Sequence, residues 1–331
     1  MSEIGIPWLL PTIEAWQLRV SQGRAPHAVL IDGAPGVGKR ALAAWLVRQK
    51  LGLEAVAAPP VHPLEVPEFA DLHWLSPPED KHSIGIDPIR ELIGELALTS
   101  YEGRGKAAVI EPANAMTDNA ANSLLKTLEE PAGDSLIVLV VDKVGRLPAT
   151  IFSRCQRVTV NLPPKDESLA WLEAIDRTLD WPAALALTGN APLAALAIAE
   201  RVDEASAMAA AFAGLLAGRG SALELATQWA KLEPAFVLDL IAGQVQTCIK
   251  RVQLGDMAVA GSEFPESVTR HIDRRNLFCY LDIINRLRAQ APGSYNLPLT
   301  LESLLIEWSG GLKTCRNRFG PGELLPGTVT G

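Results

Sequence analysis

The stretch from Ala28 to Arg40, AVLIDGAPGVGKR, constrains the fold more than any other part of the sequence. Its apolar start predicts a buried strand, its glycines predict a tight turn, and the residues that follow have apolar side chains at helical spacing. A strand, a glycine-rich loop and a helix in this order form a phosphate-binding loop, in which N–H groups at a helix N-terminus face an anion. The candidate nucleotide-binding residues are Gly33, Gly36, Gly38 and Lys39.

Three positions that nucleotide hydrolysis requires are altered. The motif G-x-x-x-x-G-K-[ST] ends in a hydroxyl that holds Mg²⁺, whereas Arg40 offers only donors and a positive charge. The second strand should end in a metal-binding carboxylate and a general base, and these positions hold Glu111 and Pro112. Val141 stands where a polar side chain should face the γ-phosphate. We therefore expect no cofactor, no metal and no hydrolysis. A vestigial loop that holds sulfate, phosphate or nothing is favoured over productive MgATP binding.

Strands alternate with helices up to about residue 160, which predicts an α/β fold with a doubly wound parallel sheet. From Pro163 onward the strand patterns cease, and Ala, Leu and Glu recur at helical spacing. We expect an α/β P-loop domain, a small helical domain, a larger all-α domain and a disordered tail. Their predicted bounds are 1–162, 163–205, 206–311 and 312–331.

Local patterns place the elements of the P-loop domain. Strands are predicted at 29–31, 72–75, 107–110, 136–141 and 157–160, with the 72–75 strand the only one in the connection 54–82. Asp87 is predicted as the N-cap of one helix, and Thr117 or Asp118 as the N-cap of the next. Leu18 and Leu98 are expected among the packing residues of their helices.

Composition excludes several functional classes. The chain has 331 residues and a net charge of −8, spread evenly, so no domain is basic enough for tight DNA binding by itself. No signal peptide or membrane-spanning run is predicted, and four cysteines without a C-x-x-C pair indicate reduced thiols in the cytoplasm. The histidines fit no ligand motif and are expected to be solvated loop residues. These residues are Cys155, Cys248, Cys279 and Cys315, and His62, His73 and His82.

Arg154 is the second candidate functional residue. It lies in Ser153-Arg154-Cys155, after a short helix or turn predicted within 146–154. By itself this triplet is typical of a surface charge. Its position at the far side of a P-loop domain, however, is where the nucleotide of a neighbouring subunit would lie in a ring. Both interpretations stay open at the level of the residues.

Four segments resemble bacterial clamp-loader subunits of the AAA+ class, in order and spacing. The closest resemblance is to the delta-prime subunits of DNA polymerase III, whose relatives gamma and tau keep working nucleotide sites. The resemblance is strong from residue 7 to about 160, and weaker over 165–331, where it rests on helical texture and NLPLTLESLL. The segments are PHAVLIDGAPGVGK, GIDPIRELIGELALTSYEGRGKAAVI, MTDNAANSLLKTLEEP and LPATIFSRCQRV.

The resemblance implies an AAA+ module, a helical lid and a C-terminal helical collar that joins five subunits. It implies that Arg154 is an arginine finger acting in trans in a DNA polymerase (nucleotidyltransferase) holoenzyme, and that the chain has no ATPase or polymerase activity of its own. The implied partners are gamma/tau and delta, the sliding clamp, and primed DNA within the complex only. The family's four-cysteine zinc module is missing between Leu51 and Leu75, and Leu193 replaces the lid arginine that senses nucleotide.

Two further functions compete with this one, a self-sufficient AAA+ ATPase of the gamma/tau type and a P-loop kinase of a small molecule. Arg40, Pro112 and Val141 oppose the first, and the Ala-rich helical half offers no substrate pocket for the second. The polar face formed by Asn122, Lys126 and Thr127 is compatible with solvation, subunit contact or DNA contact. Four tryptophans are expected to be core or interface anchors, Trp171, Trp181, Trp229 and Trp308.

Overall fold

The computed structural model describes residues 4–53, 59–78, 83–131, 133–141, 147–254, 272–288, 290 and 294–313. The chain divides into two compact units, Met1–Ser168 and Leu169–Gly331. The finer division into four domains stays a prediction, and its boundary at 205/206 falls inside the helix Val202–Leu216. Arg146, His82, Cys315 and residues 314–331 of the predicted tail lie outside the described residues.

The first unit is built on a sheet of five parallel strands in the order β4-β5-β6-β2-β7. The central strands β2, β5 and β6 are apolar and buried almost throughout, because helices cover both faces of a parallel sheet. The predicted doubly wound α/β fold is thereby confirmed. A separate two-stranded sheet pairs β1 with β3. The strands are β1 Ile4–Gly5, β2 Ala28–Gly33, β3 Val61–His62, β4 Leu72–Leu75, β5 Lys106–Ile110, β6 Ser135–Val141 and β7 Gln156–Val160.

Within its described residues, six α-helices lie wholly or partly in this unit. The P-loop helix α2 ends at Gly52, which is left-handed with φ 63° as a terminating glycine should be. Thr117 caps α4, since its hydroxyl accepts a hydrogen bond from the Ala120 N–H at 3.3 Å. The helices are α1 Leu10–Ser21, α2 Lys39–Leu51, α3 Ile86–Ala97, α4 Asp118–Glu129, α5 Ala149–Phe152 and α6 Lys165–Ile175.

Several local predictions were wrong, each for a physical reason. Helix α3 is capped by Gly85, so Asp87 lies inside the first turn, where its negative charge favours the helix dipole. Leu98 follows the end of α3 in extended conformation and is 59% exposed, as is Leu18 on the outer face of α1. The connection 54–82 contains a second strand, β3, because its partner is the distant β1 and no local pattern reveals such a pairing.

The second unit is helical throughout its described part. Its core is centred on Trp308, which stacks on Phe212 with 4.2 Å between ring centroids and donates its indole N–H to the Phe212 carbonyl at 2.8 Å. Trp171, Trp181 and Trp229 are also buried, which confirms the prediction of core anchors. Its helices are α7 Trp181–Leu187, α8 Pro192–Ala197, α9 Val202–Leu216, α10 Ala222–Trp229, α11 Pro234–Leu254, α12 Arg274–Arg288 and α13 Leu297–Ser309.

The histidines differ from the prediction of solvated loop residues. His62 lies in β3 and His73 in β4, both half-buried, and burial lowers the pKa of each imidazole. In the part of the chain that the structure describes, no cluster of His, Cys, Asp and Glu could hold a metal ion. Within those same ranges, the helices are all too short or too polar to cross a membrane.

Candidate functional site

The predicted phosphate cradle lies between β2 and α2, as the sequence indicates. Gly36 and Gly38 are left-handed, with φ 76° and 96°. Gly33 has φ 152°, and a Cβ there would come within 2.4 Å of the Val160 carbonyl oxygen. Only glycine therefore fits at position 33, both for the turn itself and for the close passage of strand β7.

Lys39 is turned back onto the loop. Its ammonium group donates hydrogen bonds to the carbonyl oxygens of Gly33 and Ala34, both at 2.9 Å, and its side chain is buried. In this arrangement Lys39 stabilises the loop. This candidate nucleotide-binding residue thus donates its hydrogen bonds to carbonyl groups of its own loop.

The segment before α1 packs against the same loop. The indole N–H of Trp8 donates to the Val37 carbonyl at 2.8 Å. A Cβ on Gly38 would lie only 3.4 Å from the Leu9 side chain and 3.5 Å from that of Ile6. The sequence does not indicate this hydrogen bond, because the two residues are 29 positions apart.

Arg40 and Glu111 form an ion pair at the metal-binding position. The Arg40 Nε lies 3.2 Å from Oε2 of Glu111, and the Trp74 indole N–H donates to the same oxygen at 3.2 Å. The Arg40 guanidinium carbon also lies 5.6 Å from the centroid of the Trp74 ring. These residues do not fit Mg²⁺, because position 40 lacks a hydroxyl and the carboxylate is already paired with a cation.

Pro112 and Val141 occupy the two other positions that hydrolysis uses. Pro112 follows Glu111 and has no side-chain atom that accepts a proton. Val141 ends β6 fully buried in the apolar core, so it presents no polar group to a nucleotide. This arrangement has no residue at these positions to activate a water molecule.

Asp32 is a buried charged residue at this site that sequence reasoning missed. It accepts hydrogen bonds from the Thr159 hydroxyl at 2.8 Å and from the Arg157 guanidinium at 2.5 Å and 3.2 Å. Burial alone would raise the pKa of this carboxyl, but the bonds from Arg157 and Thr159 outweigh burial and lower the pKa below its usual value. Asp32 therefore fastens the edge strand β7 to β2 beside the loop.

Arg154 is held by residues of its own chain. Its Nε donates to the Glu129 carboxylate at 2.6 Å, and an Nη donates to that same carboxylate. The other Nη donates to the Thr150 carbonyl at 2.9 Å and to the Ser153 hydroxyl at 3.2 Å. The Arg154 side chain is still 30% exposed. Glu129 was not singled out from the sequence, although it lies in the motif NSLLKTLEEP.

Arg154 and the P-loop lie at opposite ends of the parallel strands. Strands β2 and β7 run parallel, and Gly33 lies beside Val160 at their C-terminal ends. Arg154 precedes the N-terminal end of β7. The five residues of β7 span about 16 Å, which is more than an arginine side chain covers. The structure therefore does not bring Arg154 together with the predicted P-loop residues of this chain.

Two neighbouring predictions are also resolved. Burial raises the pKa of the Cys155 thiol to about 12, and the side chain packs against the apolar core of the first unit. Cys155 is therefore a protonated packing residue at neutral pH.

On α4, Asn122 and Lys126 are exposed, but Thr127 is buried, so its assignment to the polar face was wrong.

Residues 10–164 match the family described as "DNA polymerase III, delta subunit". The DNA polymerase III subunit delta' of Pseudomonas aeruginosa PAO1 is 38% identical over 192 residues, which cover 54% of this chain and 58% of that protein. The subunit delta' of Escherichia coli K12 is 33% identical over 205 residues, or 58% and 60% of the two chains. These matches confirm the delta-prime resemblance.

The extent of these matches is limited. The chain spans less than two thirds of the length of the curated delta-prime relatives that it matches. A DNA polymerase III gamma-subunit-related protein from Thermotoga maritima is 20% identical, with a TM-score of 0.49, over 91% of this chain and 99% of its own. A TM-score of that size supports no argument about a shared fold.

Proposed function

We propose that this chain is a non-catalytic delta-prime-type subunit of a DNA polymerase III clamp loader, and that it helps to load the sliding clamp on primed DNA. The observation that carries this proposal is the Arg40–Glu111 ion pair, in a P-loop domain whose base position is Pro112. The delta-prime relatives support it. The proposed partners are gamma/tau, delta and the clamp, with primed DNA contacted only within the complex.

The competing function is a self-sufficient AAA+ ATPase of the gamma/tau type. Such an enzyme needs a metal-binding hydroxyl, a base and a polar group near the γ-phosphate. This chain has Arg40, Pro112 and Val141 in those places, and its Lys39 is hydrogen-bonded to the loop itself. These four residues favour the non-catalytic role.

Arg154 is proposed to act on the active site of a neighbouring subunit. It lies at the N-terminal end of the parallel strands, opposite its own P-loop, so it serves only a nucleotide held by another chain. An arginine suits this role because it stays ionised and presents several donors in a planar fork. In the best-studied cases such a residue accelerates phosphoryl transfer by roughly 10³–10⁵. The Glu129 carboxylate and the Thr150 carbonyl would fix the direction of the guanidinium.

The helical second unit is proposed to join the complex as lid and collar. Leu299 and Ile306 of α13 are 42% and 44% exposed, and a spacing of seven residues puts them on one helix face. An exposed apolar pair on one helix face supports burial against a neighbouring subunit. The polar positions Asn122 and Lys126 of α4 are compatible with contact either to a subunit or to DNA.

Assembly tests the proposed function directly. Mixing the purified chain with gamma/tau and delta should give one complex on size exclusion that contains this chain. The variant Leu299→Asp/Ile306→Asp should weaken that assembly, whereas Leu223→Asp, a change at a leucine of α10 that is 56% exposed, should not. Elution of the wild-type chain apart from gamma/tau and delta would contradict the assignment as a clamp-loader subunit.

A further inference from the structure

The metal position of the P-loop holds a fixed positive charge. We propose that Arg40 replaces the divalent cation at Glu111 as an internal cation, so that this P-loop takes no Mg²⁺. This inference rests on the same ion pair as the proposed function, but its test uses the isolated chain, so a failure of this inference can be distinguished from a failure of assembly with gamma/tau and delta. It makes Arg40 the residue that determines whether the site accepts a metal ion.

Local electrostatics explain why the two side chains pair. Lys39 and Arg40 begin α2, and the first turn of this helix contains no acidic residue. A helix N-terminus carries a partial positive charge, so two cations there are unfavourable unless an anion lies close. Glu111, at the end of β5, supplies that anion from the neighbouring strand. The Glu111 carboxylate therefore neutralises the positive charge of Arg40, because no acidic residue in the first turn of α2 does so.

The oxygen that a metal would need is occupied. Oε2 of Glu111 receives both the Arg40 guanidinium and the Trp74 indole N–H, each at 3.2 Å. Arg40 lies against the Trp74 ring, which holds the guanidinium on this side of the carboxylate. A divalent ion at Glu111 would have to displace the Arg40 guanidinium, and it would then be repelled by the positive charge of that nearby side chain. The geometry therefore excludes the metal by charge and by occupancy together.

The Arg40 side chain can be replaced without opening a cavity. It is 57% exposed, whereas the Glu111 side chain is only 19% exposed. Arg40→Thr restores the hydroxyl that the P-loop motif expects and removes the guanidinium from Oε2 of Glu111, which keeps its hydrogen bond from Trp74. Arg40→Lys keeps a cation at the same place. This pair of variants separates loss of the positive charge from a mere change of side chain.

The test measures Mn²⁺ binding to the full chain by electron paramagnetic resonance, with and without ADP. Wild type and Arg40→Lys should show only the weak background binding of a protein with surface carboxylates. Arg40→Thr should gain a site at least tenfold tighter in the presence of ADP, and Arg40→Thr/Glu111→Gln should lose it. Arg90→Thr removes another exposed arginine, which is paired with Asp87, and it should behave as wild type.

Three results would overturn the proposal. The first is tight Mn²⁺ binding by wild type that Glu111→Gln removes, because Arg40 would then leave the carboxylate accessible to metal. The second is an Arg40→Thr protein with unchanged circular dichroism and no gain in Mn²⁺ affinity, because the arginine would then not be what excludes the ion. A gain in Arg40→Lys equal to that in Arg40→Thr would likewise contradict exclusion by charge.

Discussion

The contact between Glu129 and Arg154 leads to a prediction that separates a positioning role from a structural one. Glu129 ends α4 and accepts two hydrogen bonds from the Arg154 guanidinium. Glu129→Gln keeps the shape of the side chain and removes its charge. Arg154 would keep its bond to the Thr150 carbonyl, so the guanidinium should stay near its place while its direction is no longer fixed.

The expected loss of stability is small. The Arg154 and Glu129 side chains are 30% and 48% exposed, and ion pairs of such exposure contribute about 0.2–1 kcal/mol. For a unit of this size, a loss of about 1 kcal/mol lowers Tm by roughly 2–4 °C. The functional loss should be larger, since misplacing a catalytic group by about 1 Å costs up to about 10²-fold in rate.

The assay is DNA-stimulated ATP hydrolysis by the reconstituted complex, beside thermal unfolding of the chain alone. Glu129→Gln should lower kcat at unchanged KM for ATP, whereas Glu130→Gln, its exposed neighbour on the chain, should lower neither. The effect of Glu129→Gln should disappear in an Arg154→Ala background. A loss of kcat that persists in that background would refute the positioning role, as would a fall in Tm that accounts for the whole effect.

Three further predictions concern the isolated chain. It should release no phosphate from MgATP above a blank, with or without Lys39→Ala, because Pro112 offers no base; turnover near one per second that depends on Lys39 would contradict this. Because the pKa of Asp32 is lowered on folding, its contribution to stability is present above the unfolded value of 3.8 and is lost as pH falls through the folded pKa. Urea unfolding at pH 7 and pH 3 should therefore show a smaller acid loss in Asp32→Asn than in wild type, and equal losses would refute the role of the Arg157 pair. The Cys155 thiol, whose pKa burial raises to about 12, should react with a disulfide reagent at pH 8 only on unfolding, and rapid reaction in the folded chain would disprove that burial.

Patterns within a few residues of each other predicted the fold well. The uniformly apolar runs of β2, β5 and β6 indicated buried strands before their neighbours in the sheet were known. Thr117 was recognisable as a cap in the same way. Prediction was less accurate where a distant segment determines the local structure. An example is β3, which is a strand because it pairs with β1.

The candidate site was predictable in its residue types and not in its contacts. The sequence indicates that position 40 lacks a hydroxyl, but not that its guanidinium pairs with Glu111. The Asp32–Arg157 pair joins residues 125 positions apart, and the Glu129–Arg154 pair joins residues 25 positions apart. Local periodicity does not predict such pairs, because they form only when strands and helices that are separate in the sequence pack together.

The most direct test of the proposed role in trans is Arg154→Ala in the complex with gamma/tau and delta. Folding and assembly should be nearly unchanged, since a partly exposed arginine contributes little to stability. DNA-stimulated ATPase should fall in part, because one of several sites is affected, and clamp loading should fall further. Arg154→Lys should restore little of either, because an ammonium lacks the planar fork. Full activity of the Arg154→Ala complex in both assays would contradict the arginine finger.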